Sequence, residues 1–242
     1  MRVKQGLQRL LATDPASVIQ LAVEAELAKV PSRSSPGWLH ISDMSDPCDR
    51  MLTLKLLGNQ GSEQPISASL QRIFQNGEFM HKRWQQNLQL LQAPFQISIE
   101  KEVKKWPLRG SLDVLLDHPE IGLLVIELKS INAFRFGKLT APLPEHIQQI
   151  NSYMGLSGAP TGIVWYESKN DQSLKTFNLK FDRTLWYEVW NRANDIAGRL
   201  LATKLLPSMC PSCSTPNTCW EARANSNSIE EVDSERNRSY TT

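Results

Sequence analysis

Cysteine is scarce in this chain, with four in 242 residues, and no run of about 18 or more apolar residues occurs in it. The first shortage argues against a disulfide-dense secreted scaffold. The second argues against a membrane-spanning helix, so no membrane partner is expected. Charge of one sign is also missing: 27 Lys and Arg face 25 Asp and Glu, a net charge of +2. Nucleic-acid binding would therefore rest on local basic clusters rather than on a basic surface as a whole. Met1 to Leu11 is basic but carries no long apolar stretch and no small-residue cleavage site, so a signal peptide is not expected and the localisation reads as cytoplasmic. Large apolar residues are nearly absent from 221–242, which reads as a disordered polar tail. Under these conditions the few cysteines are expected as reduced thiols that bind a metal.

What is present falls into a helical first part and a mixed second part. Residues 1–37 read as an N-terminal helical region and linker. They hold a helix over 14–29, with Asp14 as N-cap, Pro15 at the first helical position and an apolar stripe of Val18, Leu21, Ala22 and Ala25. Residues 38–220 read as the main domain. Its first elements are an apolar helix from about Asp49 to Leu57 and a longer helix from about Ser67 to Leu91, interrupted or tightened near Gly77. After Pro94 the period changes. Phe95, Ile97, Ile99 and Val103 alternate with polar residues as in a half-buried strand, Gly110 to Asp117 reads as a second strand, and Leu123 to Leu128 as a central one. A helix from Pro144 to Leu156, strands at Gly162–Glu167 and Leu174–Leu179, and a helix from Arg183 to Leu205 complete the pattern. Three strands, a helix, two strands and a helix favour an α/β fold with a mixed central sheet flanked by helices.

Alternate residues on a strand share a face, so Glu127 and Lys129 point the same way while Leu128 points opposite. Asp113 lies on the preceding strand, reached through a turn at 118–122. Strands about 4.8 Å apart let Asp113 and Glu127 hold one hard cation, Mg²⁺ or Mn²⁺ by the chemistry of oxygen ligands. Lys129 beside it could orient or deprotonate a water and stabilise charge building on a phosphate. Alone, a Glu-x-Lys pair is an ordinary ion pair. Here Glu127 closes the apolar run 122–126, where an unpartnered carboxylate costs several kcal/mol.

Gly110-Ser111-Leu112-Asp113 followed by Glu127-Leu128-Lys129 resembles the PD-(D/E)XK nuclease superfamily. Gln149-Ile150-Asn151-Ser152-Tyr153, Gly77-Glu78-Phe79-Met80-His81 and Tyr166-Glu167-Ser168-Lys169 resemble further motifs of its RecB-like branch. The likeness spans about His40 to Trp220 and implies a restriction-endonuclease-like core. It also implies roles: His81, Asp113 and Glu127 as metal ligands with the backbone carbonyl of Leu128, Lys129 as catalytic lysine, Gln149 and Tyr153 positioning the strand or the attacking water, and Lys169 on a phosphate. Leu112 stands where the superfamily signature has proline.

Cys210, Cys213 and Cys219 form C-x-x-C-x(5)-C, and Cys48 is the one cysteine left to complete a four-thiolate site, either Zn²⁺ or an iron–sulfur cluster. The one-plus-three split resembles iron–sulfur nucleases of the AddB type and CRISPR-associated RecB-like nucleases, which implies a [4Fe–4S] cluster in a Cys-rich C-terminal region. Such a site would close a loop of about 160 residues and convert binding free energy into folding free energy.

Basic residues recur with aromatics at Lys82-Arg83-Trp84, at Lys101, Lys104, Lys105, Trp106 and Arg109, and at Phe134, Arg135, Phe136 and Lys138. Such combinations suit single-stranded nucleic acid, and Arg135 and Lys138 are the leading DNA-binding candidates because they follow Lys129 on the exit from its strand. The expected activity is a Mg²⁺- or Mn²⁺-dependent deoxyribonuclease, an exonuclease on single-stranded DNA ends, with protein partners in recombination, CRISPR adaptation or phage DNA processing. The competing expectations are a DNA-binding or assembly subunit with little turnover, and a zinc-stapled structural protein in which Glu127 and Lys129 form only a salt bridge.

Overall fold

A computed structural model describes residues 15–27, 36–58 and 67–203. Cys210, Cys213, Cys219 and the tail 221–242 lie outside the described residues. The chain divides into two units, Met1–Arg33 with Glu63–Phe79, and Ser34–Ser62 with Met80–Thr242. No helix among the described residues is long and apolar enough to cross a membrane.

The first unit contains α1, Pro15–Leu27. Leu21, on the expected apolar stripe, is exposed among the described residues. Arg72 pairs with Glu24 at 3.4 Å within this unit.

The second unit is built on one sheet. Its elements are β1 (Leu39–His40), a 3₁₀ turn (Ile41–Asp43), α2 (Asp49–Leu56), α3 (Ala68–Gln89, of which Met80 onward belongs here), β2 (Gln96–Lys105), β3 (Leu108–His118), β4 (Gly122–Ile131), α4 (Ala133–Lys138), α5 (Pro144–Ser157), β5 (Thr161–Ser168), β6 (Leu174–Lys180) and α6 (Arg183–Thr203). The expected interruption of α3 near Gly77 does not occur. A single glycine costs a helix about 1 kcal/mol relative to alanine, which 22 residues of otherwise compatible sequence absorb.

Along the sheet the order is β1-β3-β4-β5-β6, with β2 also paired to β3. The β2–β3, β3–β4 and β5–β6 pairs are antiparallel, while β4–β5 and the short β1–β3 pair are parallel, so the sheet is mixed as expected. The 118–122 turn forms as read: the His118 ring accepts from Glu120 N at 3.2 Å, and Gly122 supplies a positive φ of 81°. β4 is buried along its apolar run because β3 and β5 flank it and helices cover both faces.

Two apolar cores result. Met80 and Leu88 of α3 pack with Val114, Leu116, Leu124, Ile126 and Leu128 on one face. Ile150, Tyr153 and Met154 of α5, with Val189, Ala193 and Ile196 of α6, pack with Leu112, Leu115 and Val125 on the other. β2 and β3 both change faces midway: Ile97, Ile99 and Val114 belong to the α3 side, Val103 and Leu112 to the α5 side. The change falls at Glu100 and Asp113. Glu100 has a φ of 49°, and the register on either side sets it opposite Asp113 without a ladder pair between them. This break lets side chains from α3 and from α5 reach one centre.

Cys48 caps α2, its Sγ accepting from Met51 N at 3.4 Å. Arg192 of α6 ties down the same loop, donating to Met44 O at 2.9 Å and Asp46 O at 2.7 Å and pairing with Asp49 at 2.9 Å. The loop that carries Cys48 is thus held against α6.

Candidate active site

The antiparallel pairing of β3 and β4 stops at Val114 opposite Ile126. One step further the strands part, and the sheet opens at Asp113 and Glu127. Asp113 Oδ2 accepts from Leu128 N at 2.8 Å, which satisfies a backbone donor at the opening. Its Oδ1 lies 3.3 Å from His81 Nδ1 on α3. Glu127 is 2 % exposed. Its Oε1 pairs with Lys129 Nζ at 2.6 Å, so the two side chains do share a face. Lys129 Nζ also donates to Gln149 Oε1 at 3.0 Å, and Gln149 Nε2 lies 3.5 Å from the Tyr153 hydroxyl. Five expected site residues from the strands and α5, Asp113, Glu127, Lys129, Gln149 and Tyr153, together with His81 from α3, therefore meet in one place.

Electrostatics at this centre are set by burial. Burial pushes the Glu127 carboxyl up to about 7, the neighbouring Asp113 charge adds to this, and Lys129 opposes it. Burial works against the Lys129 ammonium, but Glu127 by charge and hydrogen bond, and Asp113 by charge, hold its pKa above the ordinary lysine value. His81 is likewise raised: burial disfavours its charge, while Asp113 and Glu127 favour it more. Lys129 is thus a cation at neutral pH, suited to orienting a water or stabilising negative charge. Burial pushes the Tyr153 hydroxyl above the ordinary tyrosine range, so it acts as a neutral donor or acceptor.

The second oxygen of Glu127, Oε2, is buried and has no hydrogen-bond partner among the described residues. An unpartnered carboxylate oxygen beside a second carboxylate fits a hard cation, which would satisfy both. Asp113, Glu127 and the Leu128 carbonyl would hold it, with His81 from the α3 side.

The pH dependence has a definite sign. A carboxyl with a folded value of about 7 against an ordinary 4.5 favours the protonated fold. Its contribution to stability is complete below about 4.5 and is lost as pH rises through about 7. Thermal melts in chelator should fall over this interval, and the same melts on Glu127→Gln should be flatter there. Parallel profiles would contradict the assignment.

Gly110 explains the start of the Gly-Ser-Leu-Asp motif. A Cβ there would lie 2.6 Å from Tyr153 Cε1 and 3.1 Å from its hydroxyl. Gly110→Ala should destabilise the domain by about 1–3 kcal/mol, read from denaturant midpoints, because Tyr153 is buried and has little room to move.

Other expected residues stand apart. Lys169 is exposed just after β5, and its side chain makes no hydrogen bond or ion pair among the described residues. Arg135 and Lys138 lie exposed on α4, a short helix not foreseen from sequence; Asn132 caps it, and Lys138 Nζ sits 4.0 Å over the exposed Phe134 ring. Of the other basic clusters, Arg83 is occupied: it binds the buried Glu167 carboxylate, which Trp84 Nε1 also reaches at 2.6 Å. Arg109 pairs with Glu102 at 2.7 Å and Lys104 with the same residue at 3.5 Å, so that cluster is partly neutralised.

Sequence reasoning missed two residues here. Glu100 lies with His81 and Asp113, ligand atoms of all three falling within 4.8 Å of one another. His146 of α5 is held neutral, lowered to about 4 by burial and by Lys129; its Nδ1 lies 2.7 Å from the Tyr166 hydroxyl. Lys101 standing in an apolar slot of β2 hinted at the face change beside Glu100. Nothing in the sequence marked His146.

No protein family matches the chain as a whole or in part, and no curated protein matches it. Among solved structures it is similar to an alkaline exonuclease (LHK-Exo) from Laribacter hongkongensis, at 17 % identity and a TM-score of 0.51, over 69 % of this chain and 89 % of that one. It is similar to LHK-Exo in complex with dAMP at 16 % identity and a TM-score of 0.51, over the same shares of the two chains. The core has a PD-(D/E)XK nuclease-like fold. At this identity the likeness concerns the fold, and the side chains described above carry any statement about chemistry.

Proposed function

We propose that this chain is a divalent-cation-dependent deoxyribonuclease that acts by hydrolysis of phosphodiester bonds, with single-stranded DNA ends as its preferred substrate. The observation that carries this is the meeting of His81, Asp113, Glu127, Lys129, Gln149 and Tyr153 at the parting of β3 and β4, with a buried Glu127 oxygen left unpartnered. A bound Mg²⁺ or Mn²⁺ supplies Lewis-acid polarisation of a phosphate oxygen and a water more acidic than bulk water. Lys129 presents its ammonium to the phosphate and stabilises charge that develops there. Gln149 holds that ammonium in place, and Tyr153 backs Gln149 from the buried side. Arg135 and Lys138, exposed on α4 directly after β4, are our candidates for contact with the DNA backbone, and Lys169 just after β5 our candidate for a further phosphate.

We place the chain nearest the RecB-like iron–sulfur nucleases, with Cys48, Cys210, Cys213 and Cys219 holding a [4Fe–4S] cluster, Zn²⁺ being the alternative. Support comes from the cysteine spacing and from the anchoring of the Cys48 loop to α6 by Arg192. Cap loss and metal loss separate cleanly. Cys48→Ser keeps an N-cap acceptor, and capping alone is worth about 1 kcal/mol. If the thiolate holds a metal, Cys48→Ser should destabilise as severely as Cys48→Ala and bleach visible absorbance together with it. A serine variant as stable as the parent would contradict a thiolate site.

The decisive assay uses anaerobically purified full chain on end-labelled single- and double-stranded DNA and on a closed circle, with Mn²⁺ and with chelator. Cation-dependent release from free ends, sparing the circle, is the expected result. DNA binding without turnover under every condition would favour the reading as a DNA-binding or assembly subunit.

A further inference from the structure

Tyr166 of β5 is fully buried, and its hydroxyl meets two partners. Leu143 N, at the start of α5, donates to it at 3.0 Å, and His146 Nδ1 lies 2.7 Å from it. A buried hydroxyl proton needs an acceptor, and Nδ1 is the only one it meets among the described residues. Tyr166 therefore donates to Nδ1, which leaves the imidazole proton on Nε2. The chain leading to this ring is fixed as well. Lys175 Nζ of β6 donates to Phe136 O at 2.7 Å and to Leu139 O at 3.0 Å, and so pins the stretch between α4 and α5. Nε2 itself meets no partner among the described residues, and it is not one of their buried unpartnered atoms. An N–H donor of set direction is thus left open on a half-buried side chain.

Gln149 follows three residues later on the same helical face and holds Lys129 Nζ at 3.0 Å, so His146 stands next to the candidate active site. Burial, and after it the charges of Lys129 and Arg135, keep the ring neutral against the opposing charge of Glu145. Arg135 is exposed, and its guanidinium makes no hydrogen bond or ion pair among the described residues. With Nδ1 taken by Tyr166, the imidazole has no lone pair for a cation. A neutral donor in a positive setting suits an anion instead. We propose that His146 is a DNA contact: Tyr166 holds it as the Nε2–H tautomer, and Nε2 donates to a backbone phosphate flanking the one that is cut. The inference rests on the nuclease reading above. A hydrogen bond to a charged phosphate oxygen is about twice as strong as a neutral one, so its loss is measurable as affinity.

The test uses the full chain and a short single-stranded oligonucleotide of thymidines, in chelator and at low salt, so that binding is read without cleavage. One phosphate at a time is replaced by an uncharged methylphosphonate. At one position this should weaken binding about tenfold more in the parent than in His146→Asn, whose side chain reaches Tyr166 but not the DNA. His146→Gln, which puts an N–H near the place of Nε2, should restore most of that difference. Equal penalties in the parent and in His146→Asn at every position overturn the proposal, as does a chain that binds no DNA. If the asparagine variant fails to fold, nitrogen NMR of the parent decides. An Nε2–H imidazole whose signal moves on adding the oligonucleotide supports the contact, and an Nδ1–H ring, or a signal indifferent to DNA, refutes it. The nuclease reading fails separately. Coupling at His146 with no cleavage of any DNA in Mn²⁺ would remove the enzyme and keep the contact, whereas cation-dependent cleavage without that coupling would do the reverse.

Discussion

Lys129→Met should lower DNA cleavage by about 10²–10³-fold while Mn²⁺ binding persists, because in the proposed mechanism the lysine acts on the phosphate and not as a cation ligand. Its ammonium is nearly buried, paired with Glu127 at 2.6 Å and bonded to Gln149 at 3.0 Å. Methionine keeps the chain length and removes the charge. Removing one member of a buried pair ordinarily destabilises by about 3–5 kcal/mol. Here the loss is tempered, since the Glu127 carboxyl, already pushed up to about 7, can take a proton in the cation-free protein. The variant should therefore stay folded at neutral pH. Single-turnover rates at saturating DNA, beside Mn²⁺ titrations, check this. An unchanged rate would show that the Glu127–Lys129 pair is only structural.

Asp113→Asn should have the larger effect, a loss of cleavage beyond about 10³-fold together with loss of the thermal shift expected from divalent ions in the parent. The amide oxygen can still accept from Leu128 N, so the opening of β3 and β4 keeps its one hydrogen bond. What disappears is a charge beside an already strained Glu127 carboxyl. The cation-free variant should consequently melt at the parental temperature or above it. Function here is bought with stability, as is common where like charges are held together for a metal. Melting curves in chelator and in Mn²⁺, with the cleavage assay, give all three readouts. A variant that cleaves, or that melts far below the parent in chelator, would mean that Asp113 is a structural acceptor and nothing more.

Much of the core could be read from the sequence because its signals are local. The apolar run 122–126 gave β4, the alternation from Phe95 to Val103 gave β2, and the spacing of Glu127 and Lys129 on one strand put them on one side. Gln149 and Tyr153, four apart on α5, reach the same lysine for the same reason. What could not be read depends on long-range packing. Ile97, Ile99 and Val103 keep one parity, broken only by Lys101, yet the structure sends them to different cores, and only a bent backbone at Glu100 reconciles the two. The pairing of Arg83 with Glu167 joins residues 84 apart in sequence, so a basic cluster that looked free for DNA is partly spent inside the protein. The two-residue β1 is too short to carry a periodic signal. α4 is a single capped turn and a half whose apolar residues resembled a loop with stacking aromatics.

Anomalous scattering from a Mn²⁺-soaked crystal tests the central claim most directly. A Mn²⁺ peak about 2.1 Å from carboxylate oxygens of both Asp113 and Glu127 is the result this account predicts. A well-ordered site with the Glu127–Lys129 pair intact and no Mn²⁺ at Asp113 would contradict it.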